Sequence, residues 1–131
     1  MNELTQKQNA HLGQLLDTLD NRLHEDIRAA LLQSGDQRFI DLAGMVHDIG
    51  DEAVADMLAE LDNKLVERNI EELGEIEAAR KRLAEGNINC CIECGGEIGF
   101  ERLAAYPVAV RCIVCQGQFE KTHAHGATPR L

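Results

Sequence analysis

Aromatic residues are nearly missing from this chain: it has no Trp, one Tyr and three Phe, 3% of its 131 residues. Compact cores draw much of their buried area from such rings, so the composition points away from one close-packed domain and toward long helices whose seams Leu, Ile and Ala can fill. Positive charge is also scarce. Thirteen Lys and Arg stand against 23 Asp and Glu, a formal net charge of −10, and no Lys/Arg patch is present to neutralise phosphates. Sequence-specific contact with DNA or RNA is not expected, and a protein surface with a basic rim suits the charge better. No run of 18 apolar residues and no signal-peptide segment occurs, so no membrane partner is expected. A phosphate-binding loop and an H-E-x-x-H pattern are absent too, which leaves no signature of catalysis.

Against these absences stand five cysteines. Cys91 and Cys94 form one C-x-x-C pair; after seventeen intervening residues Cys112 and Cys115 form another. Two such pairs at this interval suit one tetrahedral metal site, each pair folding into a knuckle that offers two thiolates. Zinc is the metal expected, and four thiolates leave it no open position, so the site is structural rather than catalytic. Redox pairs or disulfides fit less well, because Gly95-Gly96 and Gln116-Gly117 follow the pairs as turn residues. Metal-type cysteines imply a reducing compartment, hence the cytoplasm. Cys90 is left over. His123 and His125 have H-x-H spacing, but the shell is already filled and Gly126 and Pro129 nearby predict a poorly fixed tail.

The rest of the chain is helical by period. Leu12, Leu15, Leu16, Leu19, Leu23, Ile27 and Leu31 fall on one stripe, predicting a helix from about residue 2 to 33. Ser34-Gly35-Asp36 interrupts it, and residues 37–47 form a short second piece. Gly50 permits a turn and Asp51 is a good N-cap for a second long helix. That helix is predicted from about 52 to 85, striped by Val54, Leu58, Leu61, Leu65, Ile70, Leu73, Ile76 and Leu83, with a slip near Arg68-Asn69. Glu85-Gly86-Asn87 ends it. A glycine turn and a β-branched run predict a hairpin between the cysteine pairs, followed by one or two helical turns. The fold class expected is mainly α: an antiparallel coiled-coil helical hairpin plus a small four-cysteine zinc-finger module. Residues 1–86 make the hairpin, with an acidic tip near 48–53; residues 87–122 make the zinc-finger module with a short C-terminal helix; residues 123–131 make a flexible tail.

Cys91, Cys94, Gly95, Ile98, Gly99, Arg102, Leu103, Ala105, Pro107, Ala109, Cys112 and Cys115 together closely resemble the finger of the DksA/TraR family of bacterial transcription regulators. Upstream, Asp48, Asp51 and Ala53 match the D-x-x-D-x-A pattern found at the coiled-coil tip of members that act on RNA polymerase. The resemblance implies a monomeric, non-enzymatic protein that binds RNA polymerase and inserts its tip through the secondary channel toward the catalytic Mg²⁺, altering open-complex stability. In alarmone-responsive relatives, basic residues help to form a guanosine tetraphosphate pocket. Arg68 keeps one such position as a polymerase or alarmone contact, whereas Glu75, Tyr106 and Gln116 stand where Lys or Arg is expected. Little alarmone synergy is therefore predicted.

Other functions use the same residues differently. A zinc-stabilised protein–protein adapter would act through an exposed helical stripe, and a transcript-cleavage factor would lend Mg²⁺ to the polymerase through the tip carboxylates. A nuclease of its own would need metal-bound water, which a closed four-thiolate shell does not offer.

Overall fold

The computed structural model describes residues 3–48 and 52–123, and at residues 47 and 48 the backbone alone. Among these the chain is helical: α1 (Gln6–Leu32), α2 (Gln37–Leu42), a 3-10 helix (Ala43–Asp48), α3 (Glu52–Ala59), α4 (Lys64–Glu85), α5 (Phe100–Ala105) and α6 (Ile113–His123). The described residues contain no named strand, only an isolated antiparallel bridge between Cys90 and Glu97.

α1 begins a turn later than the stripe alone predicts because Thr5 and Gln8 cap it reciprocally. The Gln8 N–H donates to Thr5 Oγ1 at 3.0 Å, and the Thr5 N–H donates to Gln8 Oε1 at 2.9 Å, a capping box that satisfies two otherwise orphaned donors. The helix stops at the expected break. Gly35 takes φ 74°, open to glycine at little cost, and Asp36 accepts the Arg38 N–H at 2.9 Å to start α2.

By backbone packing the chain forms two compact units, Met1–Leu16 with Ala78–Leu131, and Asp17–Glu77. In the unit Asp17–Glu77, Leu23, Ile27 and Leu31 of α1 are buried, as are Phe39, Leu42, Val46, Val54, Leu58, Val66, Leu73 and Ile76. α2, the 3-10 helix and α3 touch one another. Each fully buried aliphatic side chain contributes about 1.5–3 kcal/mol, so a core with one Phe suffices.

The second long helix is not continuous. Residues 60–63 separate α3 from α4: Asp62 sits at φ 51°, and Asn63 Oδ1 accepts the N–H groups of Leu65 and Val66 at 3.0 and 3.2 Å. An αL residue ends one helix and an Asn cap starts the next. The break resets the helical phase, so Leu65, which the unbroken stripe would bury, is 60% exposed, while Val66 is 1% exposed. At Arg68-Asn69, where a slip was expected, α4 runs straight through. Asn69 is buried in the stripe beside its aliphatic neighbours.

In the other unit, a methyl group placed on Gly13 of α1 would lie 3.7 Å from Leu83 Cδ2 of α4, ordinary contact distance. The rings of His11 and Phe100 are 5.8 Å apart. Leu12, Leu16, Ala79, Ile88, Cys91, Ile98, Leu103, Val108 and Ala109 are buried there. α5 occupies the interval where a hairpin was expected. Gly99 supplies its N-terminus at φ 102°, and Phe-Glu-Arg-Leu-Ala-Ala has the composition of a helix; Val108 and Val110 lie beyond it in an irregular return.

Candidate metal centre

Each knuckle is closed by its own backbone. In the first, the Cys91 N–H donates to Gly96 O at 2.8 Å and the Gly95 N–H donates to Cys91 O at 3.0 Å, with Gly95 at φ 75°. In the second, the Gln116 N–H donates to Cys112 O at 2.8 Å, so Cys112 stands at the entrance of α6 and Cys115 in its first turn. Gln116 and Gly117, expected as turn residues, continue that helix instead. α6 has 11 residues, longer than the expected one or two turns. The Ile92 N–H donates to Val110 O at 3.0 Å and ties one knuckle to the strap leading into the other.

The sulfurs of Cys91, Cys94, Cys112 and Cys115 all lie within 4.8 Å of one another, with Cys94 Sγ and Cys112 Sγ 3.9 Å apart. Four sulfurs at about 2.3 Å from a tetrahedral zinc are about 3.8 Å apart, so the donor set fits zinc in number, type and spacing. Backbone donors support the sulfurs: the Gly96 N–H points to Cys94 Sγ at 3.4 Å and the Cys115 N–H to Cys112 Sγ at 3.5 Å. Burial pushes the Cys91 thiol up, but hydrogen bonds from the backbone of Cys94, Cys112 and Glu93 prevail and hold it at about 6. Cys115 is pushed up to about 12, first by its hydrogen bond with the Cys112 sulfur and then by burial and the remaining thiols. Four thiolates this close need a divalent cation to balance them. Zinc held by these cysteines would have no vacant position, so it supplies folding energy rather than a reactive centre. Cys90 stays outside the cluster, its thiol directed at the carbonyls of Cys91 and Gly95 at 3.9 and 3.7 Å.

Supports around the cluster come from residues that spacing alone did not mark. Asn89 is 2% exposed; its Oδ1 accepts the Gly99 N–H at 2.7 Å and its carbonyl accepts the Ile98 N–H at 2.8 Å. The Arg102 Nε donates to Arg111 O at 3.0 Å. Arg111 in turn pairs with Glu93 Oε1 at 3.4 Å and places its guanidinium 3.8 Å from the centroid of the Phe119 ring. These contacts fasten α6 to the first knuckle. An Asn just ahead of the first C-x-x-C pair was the available signal for Asn89; nothing local marked Arg111.

Of the other residues singled out, Asp48 ends the 3-10 helix, Asp51 lies outside the described residues, and Ala53 is exposed in the first turn of α3. Arg68 is exposed on α4. These belong to the unit Asp17–Glu77, not to the cysteine unit. His123 ends α6 stacked on Phe119 at 3.9 Å and is not in the sulfur cluster, while His125 lies outside the described residues. No helix among the described residues is long and apolar enough to cross a membrane.

Residues 85–121 match the family model of the prokaryotic dksA/traR C4-type zinc finger. Over 106 residues the chain is 30% identical to the RNA polymerase-binding transcription factor DksA of Buchnera aphidicola, covering 81% of this chain and 67% of that one. The protein of the same name in Escherichia coli K12 is 26% identical over 113 residues, 86% of this chain and 72% of that one. The fold is similar to the solved structure of transcription factor DksA2 from Pseudomonas aeruginosa, with a TM-score of 0.63, 28% identity, and coverage of 92% of this chain and 88% of that one. With its helical fold, its four clustered cysteines and these relatives, the chain belongs to the DksA/TraR family of zinc-finger proteins.

Proposed function

We propose that this chain is a non-enzymatic transcription regulator that binds RNA polymerase, enters the secondary channel tip first and alters open-complex stability without sequence-specific contact with DNA. The observation that carries it is the reach of the similarity. A match of 113 residues within a chain of 131 necessarily spans residues 48–53 as well as most of the finger, and it is to a protein named as RNA polymerase-binding. The net charge of −10 agrees with a protein partner. The 27 residues of α1 give a helix about 40 Å long, sufficient to reach into a deep channel.

In this mechanism Asp48 and Asp51 act by charge or hydrogen bonding near the polymerase's catalytic Mg²⁺, and Ala53 is a small contact surface. The zinc-loaded finger holds its module folded, and the chain acts as a monomer. Glu75 carries a carboxyl whose pKa is raised by burial and by the neighbouring Glu72 and Glu71, and it offers no cation to a polyphosphate. With Arg68 alone at such a position, guanosine tetraphosphate adds little.

The test replaces the polymerase's catalytic Mg²⁺ with Fe²⁺, generates hydroxyl radicals there, and maps the cuts in this chain. Cleavage centred on residues 48–53 is expected. Absence of cleavage in a folded, zinc-loaded chain bound to polymerase would move the function to an adapter.

A further inference from the structure

A cleft of about 320 Å³ adjoins the cysteine cluster, lined by Glu93, Cys115, Gln118, Phe119, Thr122 and His123. The five residues from α6 recur at the three- and four-residue steps of one helix side, and Glu93 adds the side of the first knuckle. From Cys115 to His123 the helix rises about 12 Å, so the cleft runs from the end of α6 to one of the clustered sulfurs. Five of its six side chains carry a nitrogen, oxygen or sulfur able to bind a divalent cation, and none is Lys or Arg. His123 is held as a metal-binding histidine is held. It is exposed, with its ring stacked on Phe119, and its Nδ1 lies 2.8 Å from Phe119 O and 2.9 Å from Thr122 Oγ1. A carbonyl only accepts, so Nδ1 carries the proton and the neutral ring keeps its lone pair on Nε2. Fixing an imidazole through its other nitrogen is how metal sites orient this ligand. Glu93 is anchored through Oε1, 3.4 Å from Arg111 Nε, while its side chain stays 53% exposed.

Neither His123 nor Glu93 belongs to the shell, which four sulfurs complete. Access to those sulfurs is uneven: Cys91 is 2% exposed, Cys112 and Cys115 are half-buried and Cys94 is exposed. A hydrated ion has to shed its waters before thiolates can surround it, and donors that replace the waters one at a time lower the barrier. Zinc has no electronic preference for one geometry and accepts imidazole nitrogen and carboxylate oxygen as well as thiolate, so a mixed set of ligands is open to it on the way. We propose that this cleft is the path by which zinc enters and leaves the four-cysteine site, with His123 Nε2 as a transient ligand at its outer end and Glu93, beside Cys94 in the chain, as the transient ligand next to the sulfurs. Each donor is released as the next one binds. In exchange one zinc replaces another, so no proton or electron is consumed overall. The path serves the metal centre and is independent of the function proposed above.

The test follows isotope exchange in the full-length, folded chain. Protein loaded with one stable zinc isotope is mixed with an excess of a heavier one, and native mass spectrometry reads the bound isotope over time. His123→Ala and His123→Phe are each expected to slow exchange at least about fivefold, while zinc affinity in chelator competition and the thermal midpoint stay with the parent. The Phe variant keeps a ring on Phe119 but lacks the nitrogen, so it separates ligation from stacking. Glu93→Gln is expected to slow exchange too, as is Gln118→Trp, which fills the cleft and leaves both transient ligands in place. Lys121→Ala, on α6 but outside the cleft, is expected to exchange as the parent does. Parent-like exchange in both His123 variants and in Gln118→Trp overturns the path and puts entry at the exposed Cys94. Slowing by Gln118→Trp alone overturns the part given to His123. Faster exchange with weaker affinity in the His123 variants also overturns it, making His123 a support of the bound state. A parent chain that holds no zinc overturns the path together with the metal centre.

Discussion

Asn89→Ala removes one acceptor from the interior of the finger and nothing from the metal shell. The lost contact is the 2.7 Å bond from the Gly99 N–H to Asn89 Oδ1, in a side chain that is 2% exposed. Leaving a buried donor without an acceptor costs about 1–3 kcal/mol. The Gly99 donor matters because it heads α5 at φ 102°, a conformation held by its surroundings rather than by a side chain of its own. Folding of a small zinc module is linked to metal binding, so a cost of about 2 kcal/mol weakens apparent zinc affinity about 30-fold. Competition with a chromophoric chelator measures that affinity, and urea unfolding of the zinc-loaded chain gives an independent value. Asn89→Asp, which keeps an oxygen in place, is expected to recover part of the loss. A zinc affinity for Asn89→Ala within about threefold of the parent would refute the idea that this hydrogen bond organises the finger.

Removing a ligand is the more severe perturbation: Cys94→Ser or Cys112→Ser is expected to release zinc and lower the thermal midpoint, and an unchanged melting curve would count against a structural metal. Acid should weaken zinc binding, because the thiols must lose their protons to hold the metal and regain them as pH falls; an apparent affinity unchanged between pH 8 and pH 5 contradicts this. Asn63→Ala should destabilise the start of α4 by about 1 kcal/mol and Asn63→Ser should restore it, as read by urea unfolding. At the tip, Asp51→Asn is expected to leave polymerase binding intact while impairing regulation in transcription assays, and normal regulation by that variant would argue against the tip mechanism.

The residues that fixed most of the outcome in advance were those with a rigid chemical requirement. Four cysteines at the right interval specify a metal shell whatever lies between them, and the α1 stripe from Leu12 to Leu31 needs only the helical period. Elsewhere two local signals competed. Leu58, Leu61 and Leu65 have the spacing of an unbroken helix, while Asp62-Asn63 have the chemistry of a stop and a cap, and the cap prevailed. Between the cysteine pairs, Val108 and Val110 suggested strands, but the helix-forming run 100–105 had already used the space after Gly99. Gly117 marks no turn, because the helix entering from Cys112 is anchored by Arg111 on Phe119. Such contacts join residues distant in sequence and leave no local trace.

The break at residues 60–63 also bears on how the length of this chain can vary. Within α4, one inserted residue would rotate everything after it by about 100° and turn the buried row from Val66 to Ala79 toward water. A residue added or lost in the short link before Asn63 carries no such penalty, since the cap starts α4 afresh with its own phase. Insertions and deletions should therefore be tolerated here and rejected a few residues further on. Related chains can differ in the size of the segment ahead of the break while keeping the register of the helix that leads into the finger.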